Sequence, residues 1–463
     1  MLSIQPLRSR ATSILTPLLC LPGAVYLFVI TYSSVLFCLL SYQSLWVDEL
    51  LQLVGTRSGT LEHIEQLTAS GVGGVPLSWF PQLLAIRCFG YSAAIARLPS
   101  ALAAIGCCLI VFWTARGLKF RYPLVPMILL SVLPLYFRYA LEARPYAQGV
   151  LLSALATLVF IKLIDTPSIS LLVVYTTVII LGIYSQPFAC FTACSHFVWA
   201  MIAPQRKQKL LCLSGGALIV MALAFLPWYA YGSPLWAHTI RVEHLAFHPT
   251  WRTPLMLIRE ITGAGYLGGV LLLSLALAGF LKGSTKAAMK LLLIICSIVP
   301  VICVLVVDFN FGYFLAIRQM IFILPPLVIL ASDGLSFLLH SAQLKTAIAT
   351  ALIAIVLMGA DLAWLLKPRE DWSLAANAIE KLQEEYSACT LIVPPSSIKY
   401  YAFFEPHLAK SACPSNSVGT ESVILVIAPY SDEMDRANMQ ARLNGKHNVD
   451  TQVIGMSTVQ VFR

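Results

Sequence analysis

An acidic pair stands directly after the first long apolar stretch of the chain. Asp48 and Glu49 follow an apolar run over approximately residues 18–40. Carboxylates at the edge of a membrane span are costly to place and are usually functional. The segment is predicted to be a loop, where neighbouring side chains diverge. One carboxylate could then accept a proton from an attacking hydroxyl while the other binds a cation or the molecule that carries the hydroxyl. The alternative is that both are solvated acids that help to end the first helix.

A second charged segment lies between two later apolar stretches. Arg138, Glu142 and Arg144 occur within one short turn, and Pro145 and Tyr146 follow them. A guanidinium group can bind two phosphate oxygens at once. Pro145 favours the start of a helix, and the positive end of that helix would face the same anion. The pattern predicts a phosphate site, and the alternative is a loop whose arginines contact lipid head groups.

Other polar residues are weaker candidates. Arg318, at the edge of a late apolar run, is either a phosphate ligand or an anchor that reaches the membrane surface. Arg97 opens an earlier run, and a structural role is favoured for it. The 231–262 segment is predicted to be an outer loop with aromatic membrane anchors. The alternative is that its residues line a substrate site. The irregular spacing of its histidines argues against a metal site. Its candidate residues are Trp236, His238, Arg241, Glu243, His244, His248, Trp251 and Arg252.

The composition is that of a polytopic membrane protein. The 463 residues are 58% hydrophobic and 11% charged, whereas a soluble domain carries about 25% charged residues. The net charge is +9, but the basic residues are scattered through short loops, which argues against nucleic-acid binding. Most of the 12 cysteines lie in apolar runs, and none has a zinc-type spacing.

Apolar stretches of about 20 residues predict the membrane spans. We predict eleven spans, approximately at 18–40, 93–115, 122–138, 146–164, 169–184, 187–203, 210–230, 263–281, 289–307, 316–339 and 346–366. Alternate loops between them are basic, which predicts a cytoplasmic N-terminus by the positive-inside rule. The acidic pair, the arginines and the C-terminal tail would then all lie on the opposite, outer side.

The fold class predicted is therefore an α-helical membrane domain over residues 1–366 with a small outer α/β domain over 367–463. The first outer loop, 41–92, is expected to contain two short interfacial helices, because glycines and Pro76 interrupt its apolar pattern. Cys389 and Cys413 could form a disulfide on an oxidising face or remain a free buried pair. In the tail we predict a helix over 373–386 and strands over 390–393, 423–427 and 459–462.

Taken in order along the chain, these motifs resemble the GT-C superfamily of polyprenyl-phosphate-sugar glycosyltransferases. The nearest likeness is to the bacterial family-39 type, akin to protein O-mannosyltransferases and the lipid A aminoarabinose transferase. The matching pieces are Asp48-Glu49 after the first span, Ala96-Arg97-Leu98-Pro99-Ser100 opening the second, Glu142-Ala143-Arg144-Pro145-Tyr146-Ala147 opening the fourth, Arg318 with Leu324-Pro325 in a late span, and Glu370-Asp371-Trp372 after the last.

The resemblance implies an inverting transfer from a polyprenyl-phosphate-linked sugar to a glycan, lipid or protein acceptor at the outer face of a bacterial inner membrane. Asp48 would be the base, and Glu49 would orient the acceptor or a divalent cation. A cation beside this pair is left open, and no other cofactor is expected. The remaining implied roles are phosphate binding by Arg138, Arg144 and Arg318, and lining of the sugar pocket by Glu142 and Tyr146.

One segment departs from the family pattern. Many relatives carry an acidic or histidine-bearing turn in the first loop, where this chain has Gly71-Val72-Gly73-Gly74-Val75-Pro76-Leu77-Ser78. A metal or donor contact made at that turn is therefore in question. Two other functions stay open: a transporter or flippase of lipid-linked sugars, which needs no base beside its phosphate site, and an inactive scaffold of the same fold.

Overall fold

The structure is a computed structural model of the chain. It describes residues 22–58, 74–203, 208–243, 250–311, 316–340, 342–367, 369–413, 422–443 and 445–463. In chain order the helices are α1 (Pro22–Leu39), α2 (Val47–Ser58), α3 (Pro76–Phe89), α4 (Ala93–Gly117), α5 (Leu124–Ser131), α6 (Pro134–Ala140), α7 (Tyr146–Asp165), α8 (Ile169–Ser185), α9 (Cys190–Ile202), α10 (Gln208–Glu243), α11 (Thr253–Glu260), α12 (Gly265–Lys282), α13 (Ala287–Phe311), α14 (Leu324–Leu338), α15 (Gln343–Leu365), α16 (Trp372–Tyr386), α17 (Ile398–Phe404) and α18 (Glu433–Arg442). The strands are β1 (Cys389–Val393), β2 (Val423–Ile427), β3 (Asn448–Ile454) and β4 (Ser457–Phe462).

The chain forms two compact units, and each is described by itself. The first comprises Met1–Leu40 and Ile64–Trp364, and the second comprises Ser41–His63 and Leu365–Arg463. The start of the first outer loop is therefore grouped with the C-terminal residues. The division predicted from the sequence, between residues 366 and 367, had grouped it with the membrane domain.

The first unit is a multi-pass membrane structure. In the described part of the chain, seven helical segments are long and apolar enough to cross a membrane: Ala93–Gly117, Tyr146–Asp165, Gln208–Pro234, Gly265–Lys282, Ala287–Asn310, Ile317–Leu338 and Gln343–Leu365. Three shorter apolar helices cover Gly23–Leu39, Ile169–Ser185 and Pro187–Ile202. All ten fall within predicted spans or overlap them closely, while the total of eleven stays a prediction.

The third predicted span, 122–138, is not one continuous helix. It is divided into α5, of 8 residues, and α6, of 7 residues. The break precedes Pro134, which has no N–H to donate and whose ring clashes with the preceding turn. As a result, the residues that follow Pro134 begin a new helix with its own direction, and this helix carries Arg138.

The predicted outer loop at 231–262 is also partly wrong. Helix α10 continues through residue 243, with Pro227 and Pro234 inside it, and α11 follows within the same segment. Membrane helices tolerate proline because neighbouring groups can satisfy the freed carbonyls. The apolar run Trp228–Tyr231 therefore extends the helix beyond the end predicted for it.

Small residues allow the closest helix contact in the first unit. A Cβ atom added to Gly279 of α12 would collide with the carbonyl oxygen of Leu330, and one added to Gly334 of α14 would collide with that of Leu275. The two backbones therefore pack directly on each other, as small residues permit in membrane helices.

The second unit contains α2 and a small α/β structure. Asp371 caps α16 by accepting a hydrogen bond from Leu374 N at 3.1 Å, and Trp372, Ile379 and Leu382 face the core at helical spacing. The α16 helix confirms the one predicted over 373–386. The Arg57 guanidinium of α2 donates to the Phe403 carbonyl oxygen of α17 at 2.9 Å.

The sheet of this unit has the order β1-β2-β4-β3. Strands β1 and β2 are parallel, whereas β4 is antiparallel to both of its neighbours, β2 and β3. The three predicted strands are found, but β3 was missed, because it is largely exposed and carries few apolar residues. Cys389 and Cys413 form a disulfide, which settles the alternative left open by the sequence.

Candidate active site

The arginine segment forms a tight turn between α6 and α7. Gln82 of α3 donates from Nε2 to the Ala143 carbonyl oxygen at 3.2 Å, and Ser100 of α4 donates to the Arg144 carbonyl oxygen at 2.8 Å. Within the turn, Arg144 N donates to the Glu142 carbonyl oxygen at 2.8 Å. Two neighbouring helices thus bind the backbone of the turn by side-chain donors, which restrains the directions of its side chains.

Arg138 lies half-buried near the end of α6. It donates from Nη2 to the Gly263 carbonyl oxygen at 3.3 Å, and its Cζ lies 5.5 Å from the centre of the Trp364 ring. It also interacts electrostatically with Asp361, one helical turn before Trp364 on α15. Gly263 has a φ of 75°, and an added Cβ would lie 2.7 Å from Leu135 N. Only glycine allows this approach of the two backbones.

Arg144 is half-buried and lies beside an aromatic pair. Its Cζ is 5.8 Å from the centre of the Tyr146 ring, and the rings of Tyr139 and Tyr146 meet edge to face at 4.7 Å. Glu142 is 4% exposed. The turn therefore presents one guanidinium at the start of α7 and a carboxylate buried within it. Tyr146 packs against the arginine, which is compatible with its predicted place in a pocket.

Arg318 lies on a short 3-10 turn, Ile317–Ile323, that leads into α14. Gln319 Oε1 accepts a hydrogen bond from Ala316 N at 3.1 Å, which caps the turn. The turn packs against both α6 and α7. Arg138 lies on α6 and Arg144 shortly precedes α7, so the turn that carries Arg318 packs against the two helices on either side of the arginine turn.

Arg97 has a structural partner. It is 1% exposed and donates from Nη1 to the Leu40 carbonyl oxygen at 2.8 Å. This bond joins α4 to the last residues of the first span, in agreement with the structural role favoured from the sequence.

The acidic pair is helical, which corrects the predicted loop. Asp48 and Glu49 lie in the first turn of α2, where carboxylates are favoured by the helix dipole. Their environments differ, since Asp48 is half-buried and Glu49 is fully buried. Adjacent helical residues point in directions about 100° apart, so the helix separates the two carboxylates.

Glu49 is bound within its own unit. Its Oε2 accepts a hydrogen bond from Trp46 N at 3.3 Å and lies 3.9 Å from Arg369 Nη1. A glutamate at the third helical position that accepts from the residue before the helix forms half of a capping box. These contacts give Glu49 a structural task at the start of α2.

Glu370 connects α2 to the C-terminal residues. It is 3% exposed, and its Oε2 accepts hydrogen bonds from Val47 N and Trp372 Nε1, both at 2.7 Å. Its Oε1 accepts from the Tyr430 hydroxyl. Three donors from distant parts of the sequence therefore meet on one buried carboxylate beside Asp48.

Two tyrosines interact electrostatically with Asp48. Burial, followed by Asp48 and Glu370, raises the pKa of Tyr400 to about 12. Burial and the hydrogen bond to Glu370 raise the pKa of Tyr430 well above its ordinary value. Both phenols are thus neutral at physiological pH, and Tyr430 can act as a hydrogen-bond donor.

The divalent cation predicted beside the acidic pair stays a prediction. Glu49 of this pair is fully buried and paired with Arg369. Within the described ranges, a group of three potential ligands lies elsewhere in the second unit. It consists of Glu380, Glu405 and His407, whose ligand atoms lie within 4.8 Å of one another.

Other candidates from the sequence fall partly outside the structure. His244 and His248 lie outside the described residues. Part of the 71–78 segment, which departs from the family pattern, also lies outside them. The side chains of Trp236, His238, Arg241 and Glu243 are likewise outside the described part. Trp251 is 77% exposed, and the Arg252 Cζ lies 4.9 Å from the centre of its ring, as suits an interfacial anchor.

Sequence reasoning missed several residues around these sites. Asp361 is a single carboxylate inside the last apolar span. An ionisable residue there is costly to bury in a membrane and is therefore a functional candidate, so the sequence did contain a signal for it. Gln82 and Tyr430 carried no such signal, because each acquires its partner only through the tertiary fold.

Comparison with known proteins supports the fold. No protein-family model matches the sequence, and no curated protein is significantly similar to it. ArnT from Cupriavidus metallidurans has 12% sequence identity, over 95% of this chain and 98% of that one. The TM-score is 0.57 for its apo state and 0.58 for the form bound to undecaprenyl phosphate. The Archaeoglobus fulgidus oligosaccharyltransferase, in complex with Zn and sulfate, is more distantly similar, at a TM-score of 0.49 and 11% identity over 86% of this chain and 67% of that one.

The chain therefore shares its fold with ArnT and is, as predicted, a helical membrane protein with a small C-terminal sheet.

Proposed function

We propose that this chain is a membrane glycosyltransferase that moves a sugar from a polyprenyl-phosphate donor to an acceptor. The observation that carries the proposal is the arginine turn of the first unit. Arg138 and Arg144 flank one rigid turn between two apolar helices, and Arg318 lies on an element packed against both. A lipid-linked phosphate needs such a group of cations at the surface of a membrane domain.

The partners of these arginines support anion binding. Arg138 is oriented by a backbone carbonyl and by an aromatic ring, and Arg144 lies over Tyr146. Carbonyl oxygens and rings help to fix the direction of a guanidinium group. A departing phosphate would therefore be stabilised by groups that are oriented before the reaction begins.

The reaction is a single inverting displacement. The acceptor hydroxyl oxygen attacks the anomeric carbon and forms the new glycosidic bond, while the bond from that carbon to the phosphate oxygen breaks. The polyprenyl phosphate leaves with the bonding electron pair, and its charge is stabilised by the arginines. The hydroxyl proton passes to Asp48.

Asp48 is the better candidate for the base of the acidic pair. It is half-buried in the first turn of α2, whereas Glu49 is fully buried and caps that turn. A general base must reach the proton that it removes, and a fully buried carboxylate engaged by Trp46 N and Arg369 is poorly suited to do so. Glu49 and Glu370 would instead fix the position of α2.

The similarity to ArnT bound to undecaprenyl phosphate supports a polyprenyl-phosphate donor. The basic loops support a cytoplasmic N-terminus, and the Cys389–Cys413 disulfide supports an oxidising, outer location for the second unit. We therefore assign the protein to a bacterial inner membrane. The sugar is a hexose or a pentose, and the acceptor is a glycan, a lipid or a protein hydroxyl.

A transfer assay tests the proposal. Purified full-length protein in liposomes is offered a panel of radiolabelled polyprenyl-phosphate sugars with envelope extract as the acceptor. We expect label to move into a new product with the wild type and not with Asp48→Asn. Glu433→Gln, which removes an exposed carboxylate of the same unit, is the matched control and should retain full activity.

Two results would contradict the proposal. Full activity of Asp48→Asn would remove Asp48 as the base. Saturable donor binding without transfer by either protein, across the whole panel, would instead support the transporter or scaffold reading.

A further inference from the structure

A buried glutamine lies between the helix that follows the arginine turn and the turn that carries Arg318. Gln186 is 4% exposed and comes directly after the last residue of α8. Its backbone is extended, with φ −147° and ψ 112°, because Pro187 disfavours the helical conformation in the residue before it. Gln186 N still donates to the Gly182 carbonyl oxygen at 2.8 Å. The main chain therefore ends α8 at a fixed point, from which the side chain of Gln186 extends.

The amide of Gln186 reaches the residue next to Arg318. Its Nε2 donates to the Gln319 carbonyl oxygen at 3.4 Å, and both glutamines are buried. Gln319 also fixes its own turn, since Ala316 N donates to its side-chain Oε1 at 3.1 Å. The position of the Gln186 amide therefore bears directly on the backbone of the turn that carries Arg318.

The same amide fills a space that a glycine of α7 leaves open. A Cβ atom added to Gly149 would collide with Gln186 Oε1 and would lie 3.1 Å from Gln186 Cβ. Gly149 is one turn into α7, and its N donates to the Pro145 carbonyl oxygen at 3.0 Å. Glycine destabilises the interior of a helix relative to alanine, so its presence here has a packing reason, which is the room that Gln186 needs.

Packing alone does not explain an amide at this place. Gln186 Oε1 has no hydrogen-bond partner among the described residues, and a buried polar atom without a partner costs stability. A leucine would fill a similar volume without that cost. The glutamine is therefore better explained by the carbonyl oxygen that its Nε2 binds than by the space that it fills.

We propose that Gln186 is a positioning residue that sets the distance between Arg318 and the arginine turn, and that Gly149 gives it the space to do so. The inference rests on the proposed function, in which Arg144 and Arg318 bind the same phosphate. Two guanidinium groups stabilise one phosphate only when they are held at a matching distance. Gln186 packs against the helix that begins beside Arg144 and donates to the turn that carries Arg318, so it contacts both sides of this spacing.

Binding of undecaprenyl phosphate and sugar transfer, both measured on the full-length protein, test the inference. Gly149→Ala must displace the Gln186 amide. The matched control is Gly182→Ala in the last turn of α8, where the added Cβ lies at an ordinary 3.6 Å from Ala189 Cβ. We expect Gly149→Ala to weaken undecaprenyl phosphate binding and to raise the KM for the donor about tenfold, and the control to behave like the wild type. A smaller folded fraction would lower the apparent kcat and leave the KM unchanged.

Gln186→Leu removes the hydrogen-bond donor and keeps the volume. It should melt close to the wild type, because the hydrogen bond that it loses is long and the unsatisfied Oε1 is removed with it. Undecaprenyl phosphate binding should weaken as it does in Gly149→Ala. Backbone amide exchange over residues 316–323 should become faster in both variants, which reports on the turn without any catalysis.

The Arg318→Gln background separates positioning from packing. If Gln186 acts through Arg318, neither Gly149→Ala nor Gln186→Leu should weaken binding further once Arg318 is replaced. An equal further loss in that background, or unchanged binding in both single variants, would overturn the inference and leave the proposed function in place. A wild type that neither bound undecaprenyl phosphate nor transferred sugar from any donor would overturn both.

Discussion

The arginine turn of the first unit and the acidic helix of the second unit bind their charged groups in different ways. Arg138 donates to the Gly263 carbonyl oxygen and also interacts electrostatically with Asp361. Glu49 and Glu370 instead accept from N–H and O–H donors, and Glu49 also faces Arg369. The first arrangement fixes the direction of a guanidinium group. The second uses charge to build structure, so within the acidic group Asp48 is the member best placed to react.

After Asp48→Asn, the largest effect is expected from Arg144→Ala. Removal of one oriented cation from a charge-stabilising site lowers turnover by about 100- to 1,000-fold. The melting temperature should change little, because the backbone carbonyl of residue 144, which Ser100 binds, is unaffected. Steady-state transfer and thermal unfolding of the same preparation measure both quantities. Unchanged turnover would show that the turn does not act on the phosphate.

Glu370→Gln tests whether the acidic network is structural. The substitution weakens three hydrogen bonds to a buried carboxylate, and a loss of about 3 kcal/mol in stability is expected. Transfer should fall roughly in step with the loss of folded protein. Trp372→Phe, which removes one of the three donors, should lose about half as much. A stable but inactive Glu370→Gln protein would instead place Glu370 in the chemistry.

Glu49→Gln sharpens the contrast between the two neighbouring acids. Because Glu49 caps α2, we expect a loss of about 1 kcal/mol in stability and transfer within a few-fold of the wild type. Chemical denaturation and the transfer assay, with Asp48→Asn measured in parallel, separate the two roles. If Glu49→Gln unfolds normally and is as inactive as Asp48→Asn, both acids are catalytic, as the sequence first predicted.

The smallest effect concerns alkaline pH. The folded-state pKa of Tyr400 is about 12, above the ordinary value of about 10. Its contribution to stability is therefore complete below pH 10 and is lost as the pH rises from about 10 to about 12. Melting temperatures measured between pH 9 and pH 11 should fall less steeply in Tyr400→Phe than in the wild type. Parallel slopes would contradict the burial of this hydroxyl.

The features predicted from the sequence are those that depend on local patterns. Apolar runs located the membrane helices, and Asp371 with the spacing of Trp372, Ile379 and Leu382 located α16. The disulfide could only be left open, because cysteine spacing does not determine pairing. The ends of α10 were misjudged, since prolines that break soluble helices are tolerated in membrane helices.

The site was less predictable than the fold. Residue types made the arginines and the acidic pair candidates for the site, but they did not show which acid is buried. Glu49 differs from Asp48 because Trp46 N and Arg369 meet it, and Arg369 lies 320 residues further along the chain. Likewise, the Arg138–Asp361 interaction joins two distant helices. Contacts between residues so far apart along the chain leave no periodic pattern in the sequence.

The hydrogen bond from Val47 N to Glu370 joins residues 323 positions apart. During synthesis, α2 leaves the ribosome early, but the carboxylate that completes its first turn is made only after the whole membrane unit. A nascent or truncated chain that ends before residue 370 would therefore contain every arginine of the site but lack the partner that fixes α2. The first turn of α2 can therefore reach the hydrogen bonding described above only once the chain has been made beyond residue 370.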